Sequence, residues 1–263
     1  MMKTYNKELK IALEATKMAH KIILEIYQNE DFQTEIKDDN SPVTQADLKA
    51  NEIICKMLMD NFEEYGLLSE ELIDNQERLN KEYVWVVDPI DGTKDFIAKT
   101  DEFTVNIGLI YNHEVVLGVI GVPAKNEIYY AIKNQGTFLL KDNQKIRLYT
   151  DQKNDNLIQM HSRFHFSKLE EEYFDNHKEI VELKEAGSAY KACMIASGKA
   201  HVYLKNSRGT KEWDVAPSSI IVKEAGGFFG LPNGEEMLFN RQNVYNDDGF
   251  IILNKYNDKL FIK

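Results

Sequence analysis

The hydrophobic period of this chain changes at one place, and that change limits what the chain can fold into. Tyr83-Val84-Trp85-Val86-Val87 is an unbroken apolar run that stops abruptly at Asp88-Pro89. A short apolar run without alternation describes a strand buried on both faces. Ahead of it the period is helical. Ile11, Ala15, Met18, Ile22 and Ile26 recur at steps of three or four, as one stripe of an amphipathic helix does. Thr44-Gln45-Ala46-Asp47 resembles a capping box and opens a second helix, continued by Leu48, Ile53, Ile54, Met57 and Leu58. Behind the run the period is two. Phe103, Val105, Ile107, Leu109 and Tyr111 alternate, and Val115 to Val122, Ile128 to Ile132 and Thr137 to Leu140 follow at hairpin spacing. A meander of about four strands is expected between residues 83 and 141.

The stretch from Asp142 to Asn156 is polar and marks the expected boundary between two halves, 1–150 and 151–263. In the second half, strands are expected at Leu157 to Met160, His201 to Leu204 and Phe250 to Leu253. Helices are expected near 167–177, from Ser188 to Ser197, and from about Asp214 to Gly226-Gly227, with Pro217 in the first turn of the last. Helices before a meander and helices alternating with strands after it indicate a layered α+β or α/β architecture. The tract from Lys168 to Glu179 carries Glu170, Glu171, Glu172, Asp175, His177 and Lys178, and reads as a solvated helix face with no ligand role for His177.

Composition excludes several classes. A net charge of −11 speaks against broad binding to a nucleic-acid polymer or a membrane surface, both of which favour basic faces. Cys55 and Cys193 are the only cysteines, too few for a disulfide scaffold or a cysteine zinc site. The beginning of the chain shows no apolar signal-peptide core, and the eight-residue run Val115 to Val122 is far short of a membrane span. A soluble cytoplasmic protein is expected.

The chemistry concentrates at Asp88-Pro89-Ile90-Asp91-Gly92-Thr93. A strand delivers Asp88 at its carboxyl end, where sheet proteins commonly place ligands. Pro89 and Gly92 tighten the turn, so that Asp88, Asp91 and the Ile90 carbonyl can face one centre, as a hard divalent cation requires. Taken singly, each acidic position also has a plainer reading. Asp88 and Asp91 fit an Asp-Gly turn closed by a side-chain hydrogen bond. Glu70, in Leu68-Ser69-Glu70-Glu71, fits a solvated acidic loop. Asp214 fits a helix N-terminus, and Asp47 fits the N3 partner of Thr44.

Together, Ser41-Pro42-Val43-Thr44-x-x-Asp47, Ser69-Glu70-Glu71, Trp85-Val86-Val87-Asp88-Pro89-Ile90-Asp91-Gly92-Thr93-Lys94-Asp95-Phe96 and Trp213-Asp214-x-Ala216, ending in Glu224-Ala225-Gly226-Gly227, resemble the inositol-monophosphatase superfamily. Order and spacing match over nearly the whole chain. The likeness is greatest to the branch of CysQ-type 3′(2′),5′-bisphosphate nucleotidases, through the segment ending at Asp47, through Asp-Gly-Thr-Lys-Asp-Phe and through Gly187-Ser188-x-x-Lys191. Ala189 replaces a Ser of that branch, Pro217 stands where Gly is commoner, and Val215 is closer to the inositol branch. These departures bear on substrate rather than on chemistry.

The resemblance implies a layered αβαβα sugar-phosphatase fold and Mg²⁺-dependent hydrolysis with two or more ions. It implies metal ligation by Glu70, Asp88, the Ile90 carbonyl, Asp91 and Asp214, most of them in the first half. Asp47 and Thr93 would orient and deprotonate the attacking water, with no covalent phosphoenzyme. Substrate contacts are implied for Glu70, Ile90, Asp91, Gly92, Thr93, His165, Ser188, Lys191 and Asp214, the second half supplying recognition. A helix N-terminus at Ser188 is expected to hold a phosphate, and Tyr203 and Lys205 either border the pocket or belong to its frame. The implied reaction is removal of the 3′-phosphate from adenosine 3′,5′-bisphosphate to give AMP in sulfur assimilation, with the 5′-phosphosulfate analogue as a second substrate. Inositol 1-phosphate or another sugar phosphate is the alternative. A catalytically idle metal- or phosphate-binding regulator would be expected to lack the pair Asp47 and Thr93. Lithium sensitivity, a monomer or homodimer, and peripheral attachment at the inner membrane also fit the resemblance. The charge is uneven as well. Asp60 to Glu82 is acidic and contains Glu70, whereas Leu183 to Lys211 is basic and contains Lys191.

Overall fold

The computed structural model describes residues 4–28, 35–36, 42–206 and 209–262. Ser41 of the first motif, Arg208 of the basic tract and the first three residues lie outside them. The chain opens with helix α1 (Asn6–Gln28). A two-residue antiparallel ladder, β1 (Glu35–Ile36) with β2 (Pro42–Val43), leads into helix α2 (Gln45–Asn61). Strands β3 (Gly66–Ser69), β4 (Tyr83–Asp91), β5 (Thr104–Tyr111), β6 (Glu114–Val122), β7 (Glu127–Ile132), β8 (Gly136–Lys141) and β9 (Gln144–Leu148) form one sheet in chain order, with the short helix α3 (Thr93–Ile97) after β4. Only the β3–β4 pair is parallel; the rest is an antiparallel meander.

The second sheet contains β10 (Leu157–Ser162), β11 (Ile180–Ala186), β12 (Val202–Lys205), β13 (Phe228–Gly230) and β14 (Phe250–Leu253), in the order β11-β10-β12-β14-β13. Helices α4 (Lys168–Asn176), α5 (Tyr190–Ala196) and α6 (Glu212–Glu224) connect its strands. Helices α1 and α2 cover one face of the first sheet. Helices α5 and α6 lie between the sheets, and α4 covers the far face of the second. The result is the expected αβαβα layering.

The missing alternation in β4 now has a cause. Val84 and Val86 point to the layer of α5 and α6, whereas Trp85 and Val87 point to α1 and α2. Each face buries apolar area at roughly 25 cal/mol per Å², so neither set of positions could be polar. Helix α6 comes from the second half of the sequence, yet it packs on β4, β5, β6 and β7, and one buried core runs from Val84 to Phe229 and Ile252. Gly118 admits it: a Cβ there would stand 2.8 Å from the Pro217 carbonyl oxygen.

Several expectations need correction. The buried stripe of α1 is Ala12, Ala15, Thr16, Ala19, His20 and Ile23, and Met18 is 46% exposed. Small residues prevail because α1 lies hard against the sheet, where a Cβ on Gly121 would meet Thr16 Cγ2 at 2.7 Å. The polar stretch after Asp142 is not all linker, since Gln144–Leu148 pairs with β8 as the sheet's last strand. Strand β11 was also unmarked in the sequence. Both are edge strands with mostly exposed side chains, so burial imposed no apolar pattern on them. Helix α6 begins at Glu212, which puts Pro217 in its second turn rather than its first. Among the described residues, no helix is long and apolar enough to cross a membrane.

Candidate active site

The site forms where β4 breaks register. Asp88 sits opposite Asn106 and Asp91 opposite Thr104, so three steps along β4 match two along β5. In a regular strand, residues three apart face opposite sides of the sheet. The extra residue of this bulge returns Asp91 to the side of Asp88. Asp214, third residue of α6, completes the group, and each of the three carboxylates offers an oxygen within 4.8 Å of the others. Glu70 is held nearby by its backbone N–H, which donates to the Val87 carbonyl at 3.1 Å.

The plainer readings hold at the same time. Asp88 Oδ1 accepts from Ile90 N at 3.1 Å, closing the local turn, and Asp214 Oδ2 accepts from Lys211 N at 2.7 Å as a helix cap. Neither bond removes the carboxylate from the cluster. Burial holds the Asp88 and Asp214 carboxyls well above their usual range, and the charges of Glu70 and Asp91 push both further, with Asp214 adding to the rise at Asp88. Burial raises Asp91 as well, opposed by Lys191 and by hydrogen bonds from Ala189 N and Asn106. One buried and two half-buried carboxylates, flanked by a fourth and a carbonyl, form an oxygen donor set that a hard divalent cation suits.

Asp47 lies behind this cluster. Its Oδ2 accepts from Thr44 N at 2.8 Å and Thr44 Oγ1 at 2.6 Å in the capping box of α2. That leaves Oδ1 for Thr93, whose hydroxyl donates at 3.2 Å. Burial raises the Asp47 carboxyl to about 6. Gly92 joins β4 to α3 at φ +87°, and a Cβ there would stand 2.0 Å from Ser188 Oγ. Only glycine fits both the left-handed backbone and that approach.

In front of the carboxylates opens a cleft of about 780 Å³, lined by Glu70, Asp88, Ile90, Asp91, Gly92, Thr93 and Asp214 together with His165, Ser188, Lys191, Tyr203 and Lys205. The structure thus brings together all the sequence-derived positions except Asp47, which reaches the cleft through Thr93. Two of these positions are arranged otherwise than expected. Helix α5 starts at Tyr190, so Ser188 and Ala189 precede it. The Ser188 hydroxyl donates to the Asp91 carbonyl at 2.6 Å, and Ala189 N donates to Asp91 Oδ2 at 2.7 Å. Ala189 N therefore braces the Asp91 carboxylate and the Ser188 hydroxyl braces the Asp91 backbone, while Ser188 still lines the cleft. Lys191 is buried, its Nζ donating to the Ala186 carbonyl at 3.2 Å and lying 5.0 Å from the Tyr203 ring centre, and burial lowers its ammonium to about 8.

Other residues of the site were given no site role from the sequence. Lys94 and Lys211 also line the cleft, and Lys94 Nζ is 3.4 Å from His165 Nε2. Thr104 and Asn106 donate to Asp91 Oδ2 at 3.4 and 3.3 Å. Their signal was present: they are the polar positions in the alternation that marked β5. Glu170 is a correction, because it is buried rather than part of a solvated face. Its Oε2 caps α4 through Ser167 N at 2.8 Å, and its Oε1 is 3.3 Å from Lys205 Nζ.

A layered fold with clustered carboxylates and several lysines lining one cleft defines a metal-assisted phosphatase scaffold. The family model for the inositol monophosphatase family matches residues 5–263, and the chain belongs to that family. The 3′(2′),5′-bisphosphate nucleotidase CysQ of Buchnera aphidicola is 34% identical over 225 residues, covering 85% of this chain and 84% of that protein. The crystal structure of CysQ from Bacteroides thetaiotaomicron superposes with a TM-score of 0.83 at 33% identity, covering 97% of this chain and 99% of that one. Histidinol-phosphatase of Chlorobaculum parvum is 28% identical over 248 residues, covering 94% of this chain and 92% of that protein.

Proposed function

We propose that this chain removes the 3′-phosphate of adenosine 3′,5′-bisphosphate, giving AMP and phosphate, that it accepts the 5′-phosphosulfate analogue, and that it requires Mg²⁺. The observation that carries this reading is that Asp88, Asp91 and Asp214 line the same cleft as Lys94, Lys191, Lys205 and Lys211. A substrate with two phosphoryl groups suits both sets: one group at the carboxylate cluster and the other near the ammonium groups. Similarity to the CysQ enzymes supports the same choice of substrate.

Asp88, Asp91 and Asp214, with Glu70 and the Ile90 carbonyl, would hold the divalent cation, which supplies Lewis-acid polarisation of the phosphate and a more acidic water. Asp47 serves as the proton acceptor. With its Oδ2 fixed by Thr44, its Oδ1 receives the Thr93 hydroxyl, which in turn orients the water for attack in line with the leaving oxygen. Ser188 and Ala189 hold Asp91 in place during the reaction. A thiol nucleophile is not used. Burial pushes the Cys55 thiol up to about 11 and the Cys193 thiol well above its ordinary value, and neither lines the cleft.

The histidinol-phosphatase relative shows that similar chains are named for other monoesters, so a substrate panel decides. Adenosine 3′,5′-bisphosphate, its 5′-phosphosulfate analogue, inositol 1-phosphate, histidinol phosphate and fructose 1,6-bisphosphate are to be compared with Mg²⁺ by kcat/KM. The first is expected to be the best substrate. Preference for inositol 1-phosphate or histidinol phosphate would overturn the reading.

A further inference from the structure

Arg163 stands just after β10, between the cleft-lining residues Ser162 and Phe164, and its guanidinium donates to three carboxylates. Nη1 reaches Asp95 Oδ1 at 2.6 Å, Nη2 reaches Glu102 Oε2 at 2.9 Å and Nε reaches Glu185 Oε1 at 2.8 Å. The three arms differ in what they join. Glu185 lies on β11, which pairs with β10, so that bond stays inside the second sheet. Asp95 lies on α3, two residues beyond Thr93, and Glu102 lies just before β5, the strand that carries Thr104 and Asn106. Those two bonds cross from the second half to the first.

The crossing continues past Arg163. Glu102 Oε2 also accepts from Gly187 N at 3.1 Å. A Cβ on Gly187 would stand 2.5 Å from the Glu102 carbonyl oxygen and 2.7 Å from Asp95 Cγ, so the two halves touch backbone to backbone there. The residues after Gly187 are Ser188 and Ala189, which brace Asp91. Arg163 thus lies at the junction of two short paths, one through Asp95 to Thr93 and one through Glu102 and Gly187 to Asp91. A guanidinium that is 24% exposed makes these charge-assisted bonds with little competition from water.

We infer that Arg163 is a positioning residue for catalysis, a latch between the halves that holds the turn from Asp91 to Thr93 against the segment from Gly187 to Ala189. This inference rests on the proposed function for its kinetic readout. Displacement of a reacting group by about 1 Å can cost on the order of 100-fold in rate, so Arg163→Met should lower kcat by about 10- to 100-fold with KM changed much less. Glu102→Met removes one crossing arm and serves as a second variant, expected to lose at least several-fold in kcat. Glu185→Gln takes the charge from the arm that does not cross and is expected to leave kcat near wild type.

The assays use the full chain with Mg²⁺ and the best substrate of the panel, at a temperature where circular dichroism shows each variant folded. Amide hydrogen exchange at residues 187–189 of the metal-free protein supplies a readout independent of turnover, and should speed up in Arg163→Met and Glu102→Met but not in Glu185→Gln. If no phosphate ester is turned over, the proposed function fails and exchange alone still tests the latch. Wild-type kcat and exchange in a folded Arg163→Met, or an equal loss in Glu185→Gln, would overturn the inference.

Discussion

Asp47→Asn separates catalysis from stability at a single atom. The side chain is 1% exposed, and its carboxyl is raised from 3.8 to about 6, chiefly by burial, with Glu70 and Glu71 adding to the rise. That difference corresponds to about 3 kcal/mol of folding free energy forgone when the group is ionised. Below pH 3.8 the carboxyl is protonated in folded and unfolded chains alike, so the wild type loses nothing there. As pH rises through 6 the unfolded chain ionises freely while the folded chain does so against burial, and the full loss is reached. Asparagine keeps an oxygen for Thr44 and a polar group for Thr93 but carries no charge. It gives up the charge at the N-terminus of α2, which contributes about 0.3–1 kcal/mol. The net gain is about 2 kcal/mol, or a Tm about 5 °C higher for a chain of this size. Scanning calorimetry in EDTA should show that gain at pH 8 and a smaller one at pH 4.5. Turnover with Mg²⁺ should meanwhile fall by about 100-fold or more, the usual worth of a general base. A variant that is less stable than wild type at pH 8, or one that keeps its activity, refutes the role of Asp47 given above.

Four further outcomes are expected. Asp91→Asn should reduce turnover by more than about 100-fold in a steady-state assay while leaving the circular dichroism spectrum unchanged. Gly92→Ala forces a Cβ into the Ser188 hydroxyl at φ +87° and should cost about 1–3 kcal/mol by urea denaturation, with loss of activity. Lys205→Met strands the buried Glu170 carboxylate and should destabilise by about 3 kcal/mol, whereas adding Glu170→Gln should restore much of that in the same denaturation assay. Titration calorimetry of the slow Asp47→Asn variant with adenosine 3′,5′-bisphosphate should show affinity falling at least about 10-fold when EDTA replaces Mg²⁺, because bare carboxylates repel the phosphate.

What the sequence revealed, and what it hid, follows from burial. Tyr83 to Val87 announced the layering because both faces of β4 are covered, and the carboxylates were legible because Asp88, Asp91 and Asp214 sit beside turn and cap residues of recognisable type. β9 and β11 escaped notice because edge strands face water and need no apolar pattern. The α1 stripe was misjudged for the opposite reason. Close packing against Gly121 selects alanines, and a reading that weights large apolar residues turns the helix toward Met18. Arg163 and Glu170 were opaque in another sense. Their partners stand 61 to 68 residues away across the halves and 35 residues away on β12, separations at which nothing local in the chain records a contact.

The position of α6 has a consequence for synthesis of the chain. The first sheet is complete once Leu148 has emerged, yet the layer that covers its inner face ends only at Glu224. At about 5–20 residues per second the interval is on the order of ten seconds. During that time Val84, Val86, Ile120 and Val122 have nothing to lie against, and Gly108 and Gly118 leave an open furrow between them. A nascent chain in this condition is a natural client for ribosome-associated chaperones. A fragment ending near residue 150 would carry that bare face permanently and collect as insoluble material, however well its own strands pair.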